Sequence, residues 1–127
     1  IDGTLAKMNG RSPYDYTKVH TDLVNEPVAQ LFKKLVFNHS ILVVSGRESS
    51  CLAETSQWLL DNDLHYKELM MREVGDHRDD RIVKREIYEN EIAGKYNVLT
   101  VFDDRNRVVD MWRSLGLTCL QVAYGNF

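Results

Sequence analysis

A chain of 127 residues, 43% hydrophobic and 28% charged, is long enough to bury the core of one compact globular domain, and no second domain is expected. Its formal net charge of -3 comes with scattered Lys and Arg, which excludes the broad basic face of a duplex binder and leaves only local nucleic-acid contacts. No apolar run nears the roughly 20 residues of a membrane span, no signal-peptide pattern opens the chain, and Cys51 and Cys119 stand apart with no C-x-x-C pair, so the expectation is a cytoplasmic protein without zinc site, disulfide framework or membrane contact.

In chain order, apolar β-branched runs alternate with amphipathic stretches, the pattern of a parallel sheet covered by helices. Asn25-Glu26-Pro27 places a capping residue and a first-turn proline ahead of Val28, Leu31, Phe32, Leu35 and Val36, which predicts a helix to about Phe37. Ile41 to Val44 reads as a strand buried on both faces, ending at Ser45-Gly46-Arg47, where a helix with the inward stripe Leu52, Thr55, Trp58 and Leu59 begins. Leu69 to Met71 is a short strand. After the polar segment Arg72 to Arg81, a helix carries Ile82, Val83, Ile87 and Ile92 and ends at Gly94. Val98 to Phe102 is a strand stopping at Asp103-Asp104. The next helix packs through Val108, Met111, Trp112 and Leu115 and stops at Gly116, and Leu117 to Val122 is the last strand.

One part of this layout is incomplete. Ile1-Asp2-Gly3-Thr4 has the form of a strand's exit loop, yet no strand precedes it, so the sequence is expected to begin inside an element of a longer chain, with the sheet short of one strand.

Ligands of open α/β sheets bind at the carboxyl ends of the strands. Three polar clusters fall there, namely Asp2-Gly3-Thr4, Ser45-Gly46-Arg47 and Asp103-Asp104, and Asp80 with Lys84 opens a helix. Each has an ordinary explanation alone: a turn, a helix cap, a surface lysine, a capping pair. Together they are the parts of a metal-plus-phosphate site, in which carboxylate oxygens hold Mg²⁺ and donors hold phosphoryl oxygens. His20, His39, His65 and His77 lack ligand spacing, and Trp58 and Trp112 lie on apolar stripes and read as core, with buttressing of the Asp103 loop as the alternative for Trp112. Tyr14 and Tyr16 admit two readings, ordinary packing or stacking on a nucleobase.

In this order Asp2-Gly3-Thr4, Val44-Ser45-Gly46-Arg47, Lys84 and Asp103-Asp104 resemble the four motifs of the haloacid dehalogenase superfamily of phosphatases. The run Asp2 to Tyr16, Val43 to Ser49, Gly75-Asp76 to Lys84, Met111-Trp112-Arg113 and Gln121-Val122-Ala123 resemble more closely the 3′-phosphatase domain of T-even phage polynucleotide kinases, across nearly the whole chain. The resemblance implies a three-layer, Rossmann-like α/β fold, a parallel sheet with helices on both faces, with minimal or no cap. It also implies a nucleophilic Asp two positions before Asp2, where the sequence given has no residue. Asp2 would be general acid and then base and Thr4 would position the loop. Ser45, Gly46 and Arg47 would hold the phosphate, Arg11 would contact substrate, Lys84 would neutralise charge and Asp80 would orient it. Asp103 and Asp104, with Asp2, would bind Mg²⁺. Arg81 replaces an acidic residue of that pattern, and the segment Ser50 to Leu69 is shorter and divergent.

Little room remains between Asp2, Ser45 and Lys84 for a large cap, so the cleft is expected to be open to the end of a polymer. The leading expectation is a polynucleotide 3′-phosphatase acting with Mg²⁺ on 3′-phosphorylated DNA or RNA ends in nucleic-acid repair. The alternatives are a catalytically dead phosphate-end binding domain, which the sequence as it stands would be, and a small-molecule phosphomonoesterase. No G-x-x-x-x-G-K-[ST] loop is present, so kinase activity would belong to a kinase domain elsewhere in the full-length protein, as would ligase activity to a ligase domain.

Overall fold

The computed structural model describes all residues from Ile1 to Phe127. The chain divides into two compact units, Ile1–Asp76 and His77–Phe127. The parallel-strand α/β class expected from the sequence is present in both.

In the first unit, β1 (Ala6–Lys7) pairs antiparallel with β2 (Leu23–Val24), the two flanking a 3-10 turn at Tyr16–Thr21. Neither short strand shows a two-residue period long enough to read in sequence. Helix α1 (Glu26–Leu35) follows, with its proline in the first turn as expected. Its buried residues are Ala29 and Phe32, whereas Leu31, predicted to face inward, is 49% exposed. Asn25 makes no side-chain cap. Its Nδ2 donates instead to the Thr4 carbonyl at 2.8 Å, tying the first loop to the start of α1.

Strand β3 (Leu42–Glu48) pairs in parallel with β4 (Glu68–Arg72). Two expectations are corrected here. The strand runs through Ser45-Gly46-Arg47 rather than ending before it, and the helix α2 (Leu52–Asp61) begins only after a 3-10 turn at Ser49–Cys51. Burial also alternates, with Val43, Ser45 and Arg47 on the buried face, so the strand is not enclosed on both sides. The ladder shifts register between Ser45 and Glu48, the kind of irregularity that re-aims a side chain next to a site. On α2, Thr55, Trp58 and Leu59 are buried as predicted, while Leu52 is exposed. The core of this unit gathers Leu5, Phe32, Val43, Trp58, Leu59 and Leu64.

The second unit opens with α3 (Asp80–Ile87), whose N-cap Asp79 accepts from the Arg81 amide at 3.0 Å. A π turn at Tyr88–Ile92 extends it, closed by the Ala93 amide on the Tyr88 carbonyl, and Gly94 takes the positive φ of +76° that ends the element. Strand β5 (Val101–Asp103) starts three residues later than predicted and includes Asp103, pairing in parallel with β6 (Cys119–Gln121). Helix α4 (Asn106–Ser114) buries Val108, Val109, Met111 and Trp112, and the Tyr88 ring meets Trp112 edge-on at 6.1 Å. No helix is long and apolar enough to cross a membrane. Residues 49–67 hold one 3-10 turn and one helix, so nothing of cap size is inserted there.

Candidate active site

In the first unit the Asp2-Gly3-Thr4 turn is tight. The Ile1 carbonyl accepts from the amides of Thr4, Leu5 and Ala6, and Gly3 has a φ of +77°, a backbone that a side chain would strain. The turn holds the Asp2 carboxylate 31% exposed in front of two buried guanidinium groups. Arg47 donates through Nη2 to Asp2 Oδ1 at 2.6 Å and through Nε to both Asp2 oxygens at 3.2 Å, and its Nη1 reaches Thr55 Oγ1 at 3.1 Å. Arg11 donates through Nη2 to Asp2 Oδ1 at 3.1 Å.

Behind them lies Asp22, wholly buried, which no motif singles out. Its Oδ1 accepts from Arg11 Nε at 2.7 Å, and its Oδ2 accepts from Arg11 Nη2 at 2.8 Å and Arg47 Nη2 at 2.6 Å. Its backbone carbonyl is fixed by the Trp58 indole at 2.9 Å. Two cations therefore face two anions in a fully hydrogen-bonded network, the condition under which buried charge is tolerated. Burial pushes the Asp2 carboxyl up, but the hydrogen bond and charge of Arg47, with the charge of Arg11, outweigh it and hold the group below the usual carboxylate value. Asp22 binds Arg11 and holds the arginine's own pKa above its normal value.

Ser45 is buried one pleat from Arg47, its Oγ accepting the Arg47 amide at 3.1 Å, and the Gly46 carbonyl accepts from Arg72 Nε at 2.8 Å. Thr4 is buried in the loop that Asn25 anchors. Tyr14 is exposed and Tyr16 half-buried, with the Tyr16 hydroxyl's pKa raised chiefly by burial.

In the second unit, α3 carries Asp80 at its first position and Lys84 one turn on. Lys84 is buried, and its Nζ donates to Asp103 Oδ2 at 3.0 Å. Trp112, buried as the core residue expected, also donates through Nε1 to the same oxygen at 3.1 Å, the alternative role, and Asp103 Oδ1 accepts the Asp104 amide at 2.9 Å. Burial raises the Asp103 carboxyl, yet the Lys84 charge and the Trp112 bond bring it below the ordinary value. Asp80 pairs with Arg105 at 3.2 Å, and Asp104 is buried. Cys51 and Cys119 are free and buried; burial and the Asp103 charge push the Cys119 thiol up to about 11.

A profile of the polynucleotide kinase PNKP phosphatase domain matches residues 1–127. The chain belongs to that family. Within it, the chain is 38% identical over 119 residues to a candidate bifunctional polynucleotide kinase/RNA ligase of Autographa californica nuclear polyhedrosis virus, covering 91% of this chain and 17% of that protein. Two solved structures match with a TM-score of 0.97 and 43% identity over the whole chain. One is of the Pnkp1/Rnl/Hen1 complex, of whose chain 45% is covered, and the other of the Pnkp1/Rnl/Hen1 RNA repair complex, of whose chain 42% is covered. The chain thus spans less than half the length of these relatives. The family membership and fold read from the motifs stand confirmed.

The donor chemistry for a metal is that of a partial site. No group of three His, Cys, Asp or Glu side chains gathers to cage an ion. Mg²⁺ does not require such a cage, since it usually binds through one or two carboxylates and keeps several waters in its shell. Asp103 uses Oδ2 for two donors and Oδ1 for one, so of about four acceptor positions on a carboxylate one remains on Oδ1. Asp103 and Asp104 therefore fit a hard divalent cation.

Asp22 and Arg105 lie outside every site motif of the sequence, and Thr55, expected only as an inward-facing residue of α2, also accepts from Arg47. The one available cue to Asp22 was charge balance: two arginines assigned to one site require more counter-charge than Asp2 supplies once both are buried.

Proposed function

We propose that this chain is the 3′-phosphatase domain of a nucleic-acid end-repair protein, releasing a 3′-terminal phosphate from DNA or RNA through an aspartyl-phosphate intermediate with Mg²⁺. The observation that carries the reading is the pair of buried guanidinium groups, Arg11 and Arg47, converging on a carboxylate that is itself partly exposed. A phosphoryl group carries the charge and the planar sets of oxygens that two such forks bind.

At rest Asp2 occupies those donors and is held ionised. An arriving phosphate competes for Arg11 and Arg47, and as they turn to it the hydrogen bonds and charge that lower the Asp2 pKa weaken, which favours uptake of a proton from solvent. By the family resemblance the attacking carboxylate stands two positions before Asp2. Its oxygen bonds to phosphorus as the bond to the 3′ oxygen breaks, and Asp2 protonates that oxygen. Asp2 then takes a proton from the water that attacks phosphorus, the acyl bond to phosphorus breaks, and phosphate leaves. The Ser45 hydroxyl, with its oxygen already accepting the Arg47 amide, donates to a phosphoryl oxygen. By the same resemblance Lys84 would neutralise phosphoryl charge, and Asp103 and Asp104 would hold Mg²⁺, whose chemistry is to draw off that charge.

The names of the relatives favour a kinase or ligase elsewhere in the full-length protein. The test is phosphate release by that protein from 3′-phosphorylated oligonucleotides and from 3′-mononucleotides in Mg²⁺. The proposal expects oligonucleotides to be preferred and Asp2→Asn to abolish turnover. Equal efficiency on both substrates would make it a small-ester phosphatase, and full activity of Asp2→Asn would remove Asp2 from the chemistry.

A further inference from the structure

The last residue of β6 and the segment after it fold back over the Asp103-Asp104 loop. The Val122 amide donates to the Asp103 carbonyl at 3.0 Å, continuing the β5–β6 ladder. The Gln121 side chain then reaches across the acidic loop, Nε2 donating to the Asp104 carbonyl at 2.9 Å and to Asn106 Oδ1 at 2.6 Å. The chain returns at Gly125, whose carbonyl accepts the Asn106 amide at 2.8 Å and whose amide donates to Asn106 Oδ1 at 3.3 Å. Gly125 lies flat against the loop: a Cβ there would stand 2.1 Å from the Asp104 carbonyl oxygen and 2.8 Å from Arg105 Cα. Only glycine allows that approach, and the reason is space rather than a positive φ.

The peptide that Gln121 and Gly125 hold is the one between Asp104 and Arg105, and the residue they hold next is Asn106, the first of α4. The peptide on the other side is held by Val122. Asp104 is therefore gripped at both flanking peptides, so the backbone from which the Asp103 and Asp104 carboxylates leave is fixed.

We infer that Gln121 and Gly125 are positioning residues: they form a clasp that fixes the Asp103-Asp104 loop in the arrangement that receives a divalent cation. The inference rests on the functional reading above, since that reading assigns the cation to these carboxylates. Partners that orient a metal's ligands are worth about 10- to 100-fold in metal affinity or activity when removed.

The test uses the full-length protein, with Gln121→Met, which keeps shape and removes both donors, and Gly125→Ala, which forces the loop to move. Gln57→Met, an exposed change on α2, is the control. Mn²⁺ affinity is read by electron paramagnetic resonance without substrate, alongside 3′-phosphate release as a function of Mg²⁺. The clasp predicts that Mn²⁺ binds about 10-fold more weakly to both variants, that the Mg²⁺ needed for half-maximal rate rises by a similar factor, and that the rate at saturating Mg²⁺ recovers to within about twofold in Gln121→Met. If Gly125→Ala does not fold, Gln121→Met decides alone. Unchanged Mn²⁺ affinity in a folded Gln121→Met protein overturns the clasp. Failure of the wild-type protein to release 3′-phosphate overturns the functional reading instead, and the Mn²⁺ titration still decides the clasp.

Discussion

Replacing Asp22 with Asn tests the charge network most sharply, because the change keeps the side chain's size and removes one of two anions facing two buried cations. In the wild type, Asp22 accepts three guanidinium N–H bonds of 2.6 to 2.8 Å in a setting without solvent. The asparagine retains one oxygen and turns an amide N–H₂ toward groups that are themselves only donors. Arg11 and Arg47 are then left with Asp2 as their one carboxylate, and Asp2 is partly exposed. Breaking a buried pair from one side costs about 3–5 kcal/mol, against about 0–1 kcal/mol for a surface pair. The hydrogen bond that Asn keeps places the expected loss near about 3 kcal/mol. Urea unfolding followed by tryptophan fluorescence measures it, since Trp58 donates to the Asp22 carbonyl and reports this region. A lower midpoint at constant slope is expected. A loss below about 1 kcal/mol, the scale of an exposed pair, would show that the network does not hold buried charge as described.

The remaining predictions concern single contacts. Arg47→Ala raises the Asp2 carboxyl pKa, readable by carboxyl ¹³C NMR, and an unmoved titration would refute Arg47 as the chief lowering partner. Because Asp2 titrates lower folded than unfolded, it contributes stability above its unfolded value of about 4, which is lost as pH falls through the folded one, so Arg47→Ala also flattens that acid limb. Trp112→Phe deletes the 3.1 Å bond to Asp103 and costs about 1.5–3 kcal/mol, the scale of a hydrogen bond to a charged group. Thermal unfolding checks it, and no change would mean that Lys84 and the Asp104 amide fix Asp103 without the indole. Cys119, with its thiol pushed up to about 11, alkylates slowly at pH 8 and faster as pH approaches that value, and rapid modification by iodoacetamide at pH 8 would contradict its burial.

The parts of the site that sit on long local patterns were legible in the sequence. Ser45 and Asp103 each follow an apolar run, and Asp80 and Lys84 are one helical turn apart, so spacing alone marks them as candidates. What escaped is what depends on partners far apart in the chain. Asp22 lies in the unpatterned run His20-Thr21-Asp22, and its importance comes from Arg11, Arg47 and Trp58 meeting it in space. The strand through Ser45-Gly46-Arg47 looked like a helix start because serine and glycine have poor strand propensity; pairing with β4 overrides it. Leu31 fits the apolar face of α1 by period but stays exposed, and Gly125 carries no sequence signal for its contact with Asp104.

The reaction proposed for this chain removes the phosphate at a 3′ end. The most direct measurement gives the full-length protein, with Mg²⁺, two oligonucleotides of one sequence, labelled with ³²P as a 3′-phosphate or as a 5′-phosphate, and follows release of inorganic phosphate. Release from the 3′ end, its loss in Asp2→Asn, and none from the 5′ end are expected; equal release from both ends, or from the 5′ end alone, would contradict the proposed reaction.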